Sequence, residues 1–286
     1  MCDDNILKEM SEHLSRRKFG ALGIGAAFAA SLPRAANAVD VTESMVEIQT
    51  PDGVCEAHFV HPASGKAPGV LVWPDAFGLR DAFKQMGRRL AESGYSVLSV
   101  NPYYRTAKLP ALPDGLDFSN PDDRAQIMKM IQTLSAETHI ADAATFVGWL
   151  DQQSAVDTSK KIGTTGYCMG GPMVMRTAGT QPERVGAGCS FHGGGLVTDQ
   201  ANSPHTLIPQ MKAHMLIAIA DNDDKAQPEA KTVLKESFKL ANVPAEVEVY
   251  EGAQHGWCPP DAAVYHEAQA EKAWSRLLAT FKAGLA

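Results

Sequence analysis

Cysteine is scarce in this chain: Cys2, Cys55, Cys168, Cys189 and Cys258 are five among 286 residues. So few, so scattered, exclude a disulfide framework, and no C-x-x-C pair marks a zinc or redox motif. His58, His61, His205, His214 and His266 show no metal-ligand spacing, so neither a metal nor a cofactor is expected. A basic excess is also missing. Against 26 Lys and Arg stand 33 Asp and Glu, a formal charge of −7, which argues against nucleic acid and anionic membranes as partners. No internal repeat or low-complexity tract is visible. No apolar run reaches the ~20 residues that a spanning helix needs. The nearest candidate, residues 19–32, has 14 residues rich in Gly and Ala, so no stable membrane anchor is expected. What remains is 44% apolar and 21% charged residues, an ordinary globular composition.

Residues 1–38 read as an address. Ser15-Arg16-Arg17-Lys18-Phe19 precedes a short apolar stretch, and Ala36-Asn37-Ala38 supplies an A-x-A cleavage pattern. That is the layout of a secretory signal, and the paired arginines make it resemble the twin-arginine type. The expectation is export by the twin-arginine translocase, cleavage after about Ala38, and a periplasmic mature chain of residues 39–286 forming one domain. A cleavable signal also removes Cys2 and leaves four cysteines.

Strand-like and helix-like patterns alternate along that domain. Gly69-Val70-Leu71-Val72-Trp73 is a continuous apolar run stopped by Pro74-Asp75, as in a strand buried on both faces. Further strands are expected at residues 54–60, 96–100, 161–166, 185–190, 215–220 and 245–250. Helices are expected between them, with Phe83, Met86 and Leu90 at helical spacing in the first. Residues 106–121 carry Pro110, Pro113, Gly115 and Pro121 and read as a long loop or lid. Alternation with short connections means an α/β fold with a mostly parallel sheet and helices on both faces. Active sites of such sheets lie at the carboxyl ends of the strands.

Three strand ends carry chemistry. Gly166-Tyr167-Cys168-Met169-Gly170-Gly171 has the strand-to-helix setting of a nucleophile elbow, with Cys168 in the nucleophile position. The helix N-terminus favours a thiolate there, and the Met169 N–H is a candidate oxyanion donor. After the strand ending at Ala220 comes Asp221-Asn222-Asp223-Asp224. After the strand ending at Tyr250 comes Ala253-Gln254-His255-Gly256. Nucleophile, acid and histidine in this order are those of an α/β-hydrolase triad. His255 would serve as general base and acid, with Asp223 orienting it. Asp221 and Asp224 remain alternatives for the acid. Phe191-His192-Gly193-Gly194-Gly195 lies after the nucleophile, where an oxyanion motif does not belong, and reads as a strand-end loop lining the pocket.

With these residues in hand the chain, from about residue 45 to 284, resembles the dienelactone hydrolase (carboxymethylenebutenolidase) family of the α/β-hydrolase fold. Trp73-Pro74-Asp75-Ala76-Phe77-Gly78 and Asn101-Pro102-Tyr103-Tyr104-Arg105 share in the resemblance. It implies hydrolysis of a small activated lactone or ester through a cysteine acyl-enzyme. It also implies Ala76 as second oxyanion donor and Arg105 as a binder of the substrate carboxylate. Asp75 stands where the family has a glutamate that contacts the resting thiol; the alternative is that it caps the following turn. A broader carboxylesterase or thioesterase, or a binding protein on an inactive scaffold, are the other readings. Cys55 and Cys189 read as core residues, Trp257 as packing, and Cys258 as a pocket-lining or disulfide-bonded residue.

Overall fold

The structure, a computed structural model, describes residues 32–33 and 38–286. The expected signal segment therefore lies outside the described residues except for Leu32, Pro33 and Ala38. Eight strands form one sheet in the order β1-β2-β4-β3-β5-β6-β7-β8. They are β1 (Val41–Thr50), β2 (Gly53–Pro62), β3 (Gly69–Trp73), β4 (Ser96–Val100), β5 (Ile162–Tyr167), β6 (Val185–Phe191), β7 (His214–Ala220) and β8 (Ala245–Tyr250). Strand β2 runs antiparallel to β1 and β4, and the six strands from β4 to β8 are mutually parallel. This is the mostly parallel α/β sheet expected from the alternation, in the α/β-hydrolase architecture that the resemblance implies. Among the described residues no helix is long and apolar enough to cross a membrane.

The central strands explain the layering. All five residues of β3 are buried, and alternate side chains enter opposite layers. Val70 and Val72 join Phe83, Met86 and Leu90 of α1 (Asp81–Glu92) and Leu277 and Phe281 of α7 (Glu267–Gly284). Leu71 and Trp73 join the opposite layer, built by α2 (Pro121–Ile131), α3 (Ala136–Asp151), α4 (Gly170–Thr180) and α6 (Ala230–Leu240). Local signals set the helix starts. Asn120 caps α2 ahead of Pro121, and Ser135 and Thr138 form a capping box on α3. Residues 101–120 are turns and loop, as their proline content suggests.

Two elements depart from the sequence expectation. Strand β1 precedes the Pro51–Asp52 turn and pairs with β2 over its full length, yet among its residues only Ile48 is buried. An edge strand that faces solvent lacks the apolar alternation by which strands are recognised. The acidic segment after β7, for which no element was expected, is the short helix α5 (Asp221–Ala226).

Candidate active site

The parallel register brings five strand ends level. Trp73 is opposite Gly166, Tyr167 opposite Phe191, Phe191 opposite Ala218, and Ala220 opposite Tyr250. The residues after β3, β5, β6, β7 and β8 therefore share one edge.

Cys168 sits between β5 and α4 with φ +54, a left-handed conformation that costs a non-glycine residue on the order of 1–3 kcal/mol. The flanking glycines are required by packing. A Cβ on Gly166 would collide with the Gly170 carbonyl, and one on Gly170 with the Trp73 carbonyl oxygen and, at 2.9 Å, that of Pro74. The thiol is half-buried at the amino end of α4. Met169 N–H and Ala76 N–H have no acceptor in the protein among the described residues, and both residues are buried. Tyr103 ties the two segments together. Its hydroxyl donates to the Ala76 carbonyl at 2.8 Å and lies 3.2 Å from Met169 Sδ. Sequence reasoning noted Tyr103 only as part of a resembling segment.

The structure chooses among the three aspartates by geometry. His255 Nδ1 donates to Asp223 Oδ2 at 2.7 Å, while Asp221 pairs with Lys225 and Asp224 with Lys231. The His255 backbone N–H is held by Asn222 Oδ1 at 2.7 Å, and Asp221 N–H by the Ala253 carbonyl. Burial alone would lower the proton affinity of His255. The negative charges of Asp223 and Cys168, with their hydrogen bonds, outweigh it and raise that affinity well above the histidine range. His255 Nε2, the ring nitrogen left over from the Asp223 pair, is buried.

Asp75 lies on the same edge, but its carboxylate is taken up elsewhere. Oδ1 accepts from Phe77 N–H at 3.0 Å, and the Arg80 guanidinium grips both oxygens at 2.6 and 3.0 Å. Arg80 also forms a two-pronged pair with Asp261, at 2.6 and 2.9 Å, and rests over the rings of Phe77 and Phe83. Burial would lower the proton affinity of Arg80; Asp75 and Asp261 raise it, so the charge is secured. Of the two sequence readings of Asp75, the geometry matches the turn cap. The clamp through Arg80 had no signal in the sequence, because its second partner, Asp261, lies 181 positions away.

Arg105 is not a free surface arginine. It donates to both oxygens of Asp142, at 2.7 and 2.8 Å, and to Asp52, over the ring of Tyr104. Its charge is met by protein carboxylates, so in this structure it does not face an open anion site. The other sequence readings place plainly. Cys55 and Cys189 are fully buried, and burial pushes the Cys55 thiol up to about 12. Cys258 is buried and free, so no disulfide forms among the four described cysteines. Trp257 is fully buried and stacks on Tyr250. Among the described residues no three His, Cys, Asp or Glu side chains are grouped to hold a metal.

Residues 55–285 match the family model of the dienelactone hydrolase family. The carboxymethylenebutenolidase homologue of Methylorubrum extorquens is 27% identical over 282 residues, 94% of this chain and 93% of that one. Its counterpart in Salmonella typhi is 26% identical over 260 residues, 82% and 90% of the two chains. A solved dienelactone hydrolase homologue of Klebsiella pneumoniae superposes with a TM-score of 0.73 at 22% identity, covering 85% of this chain and 99% of that one. The chain belongs to the dienelactone hydrolase family, a family of hydrolases with the α/β-hydrolase fold.

Proposed function

We propose that this protein hydrolyses a small activated ester, an enol-lactone in particular, through a Cys168 acyl-enzyme. The observation that carries the reading is the Asp223–His255 pair aimed at the Cys168 elbow, beside two unpaired N–H groups at Ala76 and Met169. As the reaction begins, His255 Nε2 takes the proton of the Cys168 thiol. The sulfur attacks the carbonyl carbon, and the carbonyl oxygen takes the negative charge between the two N–H groups. Collapse breaks the ester C–O bond, and the departing enolate or alkoxide takes the proton from His255 Nε2. Water then gives a proton to Nε2 as its oxygen attacks the thioester. The second collapse frees the acid, and the sulfur takes its proton back from Nε2. An enol-lactone suits this nucleophile because its leaving group is already stabilised. The carboxymethylenebutenolidase names of the relatives favour the same substrate class.

The test is a panel of enol-lactones and p-nitrophenyl esters with wild type, Cys168→Ala and Cys168→Ser. Loss of turnover in Cys168→Ala, a small remainder in Cys168→Ser and a trapped acyl adduct on Cys168 by mass spectrometry are expected. Full activity in Cys168→Ala would sink the assignment. Turnover of aryl esters or thioesters without any of lactones would move the reading to a general esterase. We also propose export through the signal at residues 1–38. Undiminished periplasmic appearance after Arg16→Lys and Arg17→Lys would count against the twin-arginine route.

A further inference from the structure

A second buried histidine stands in the site and has no part in the mechanism above. His192 follows β6 and is fully buried. Its φ is +40. Among the described residues only Cys168, His192 and Asn242 combine a side chain with a left-handed backbone, and the first two touch each other. The Cys168 backbone N–H is shared between the Phe191 carbonyl and His192 Nδ1, each at 3.1 Å. An accepting Nδ1 carries no proton, so the ring is the Nε2–H tautomer. That Nε2 is buried and has no acceptor. Burial, with the positive charge of His255 beside it, lowers the proton affinity of His192 well below the histidine range and keeps the ring neutral. The ring stands edge-on to His255, with centroids 5.1 Å apart, and to Trp257 at 5.0 Å. The remaining titratable neighbour is Tyr167, whose ring lies 6.0 Å away.

The backbone around it has no slack. His192 N–H is held by the Ala218 carbonyl at 2.8 Å. A Cβ on Gly193 would come within 2.5 Å of Ser190 Oγ, and one on Gly171 within 2.6 Å of Gly193 Cα. The loop after β6 is thus pressed against the first turn of α4. Its glycines serve close approach, while its histidine reaches back to the elbow.

We propose that His192 is a positioning residue of the hydrolytic site, holding the strained Cys168 peptide through Nδ1 while its ring backs His255. The inference rests on the hydrolase reading above. Glycine alone would satisfy the left-handed backbone at 192 without strain, so the side chain is there for what its acceptor and ring touch. The strain at Cys168 is offset in part by two acceptors on its N–H, the Phe191 carbonyl and the His192 Nδ1.

His192→Gly and His192→Asn test this, since both residues tolerate a positive φ. Asparagine places an amide oxygen near the position of Nδ1; glycine offers nothing. His192→Gly is expected to lower kcat on p-nitrophenyl acetate, and the rate of Cys168 alkylation by iodoacetamide, by about tenfold, the worth of one hydrogen bond. KM should stay within about twofold, and His192→Asn should regain most of the loss. Thermal melting of both variants separates folding defects from these rates. Unchanged kcat and alkylation in a folded His192→Gly would overturn the inference, and so would equal losses in the Gly and Asn variants. Neither result touches the nucleophile assignment, which fails only if Cys168→Ala stays active.

Discussion

Replacing Asp223 with asparagine removes one charge and little volume. In the wild type that charge lies against His255 Nδ1 at 2.7 Å, and both side chains are largely buried, 15% and 8% exposed. Charge centres about 4 Å apart attract by about 4 kcal/mol at an effective dielectric constant of about 20. The substituted amide would keep a neutral acceptor for Nδ1–H and restore about 1 kcal/mol. A net loss of about 3 kcal/mol corresponds to roughly two orders of magnitude in kcat/KM. The sign of the pH effect follows as well. Without Asp223 the burial of His255 dominates and its proton affinity falls. The rise of iodoacetamide alkylation with pH should then move to higher pH. The assay is kcat/KM on p-nitrophenyl acetate at pH 7, with the alkylation profile beside it. Asp221→Asn and Asp224→Asn serve as controls and should stay within about twofold, because their carboxylates face Lys225 and Lys231. An Asp223→Asn enzyme within threefold of wild type would refute the reasoning, as would an equal loss in Asp224→Asn.

Gly170→Ala should destroy activity, because its Cβ would enter the Trp73 and Pro74 carbonyls and displace the elbow. Gly148→Ala, inside α3 with open space around it, should instead raise stability by about 0.5–1 kcal/mol in a urea titration. Arg80→Met leaves the buried Asp75 without its cation; discounting for the partly exposed Asp261, we expect a loss of about 2 kcal/mol and a melting point lower by roughly 5 °C. An unshifted melt would show that the clamp is idle. Stability should peak near pH 6.5. His139, pushed down to about 3 by burial and then by Arg176, and His192 are neutral when folded and bind protons on unfolding below that pH; each removes on the order of 1.4 kcal/mol per pH unit. His255 has the opposite sign: its folded value is raised, so its contribution is complete below about 6.5 and is lost as pH climbs through the folded value. Urea midpoints at pH 5, 6.5 and 8 check this, and a steady gain from pH 6.5 to 5 would contradict it.

The parts of this site that are legible in the sequence are those whose position follows from strand ends. Gly69–Trp73 reads as a strand because it is buried on both faces, whereas Ala76 as an oxyanion donor came only with the family resemblance. The Gly166–Gly171 hexapeptide reads as an elbow because tight turns admit few residues, and that places Cys168 and Met169. Asp223 and His255 follow from the ends of β7 and β8, although the choice of Asp223 over Asp224 needed the direction of each carboxylate. Strand β1 stayed hidden because an edge strand leaves all but one of its residues in contact with solvent, so no buried alternation marks it. The contacts of Arg80, and of His192 within its pocket-lining loop, stayed hidden for a different reason. Arg80 joins Asp75 to Asp261, which lies 181 positions beyond Arg80, and a left-handed backbone angle at His192 brings its Nδ1 to the Cys168 backbone N–H. No pattern along the chain encodes either relation. Residues that react must sit at the strand ends, so their order survives in the sequence. Residues that hold them in place need only reach them, and any loop of the fold can supply that reach.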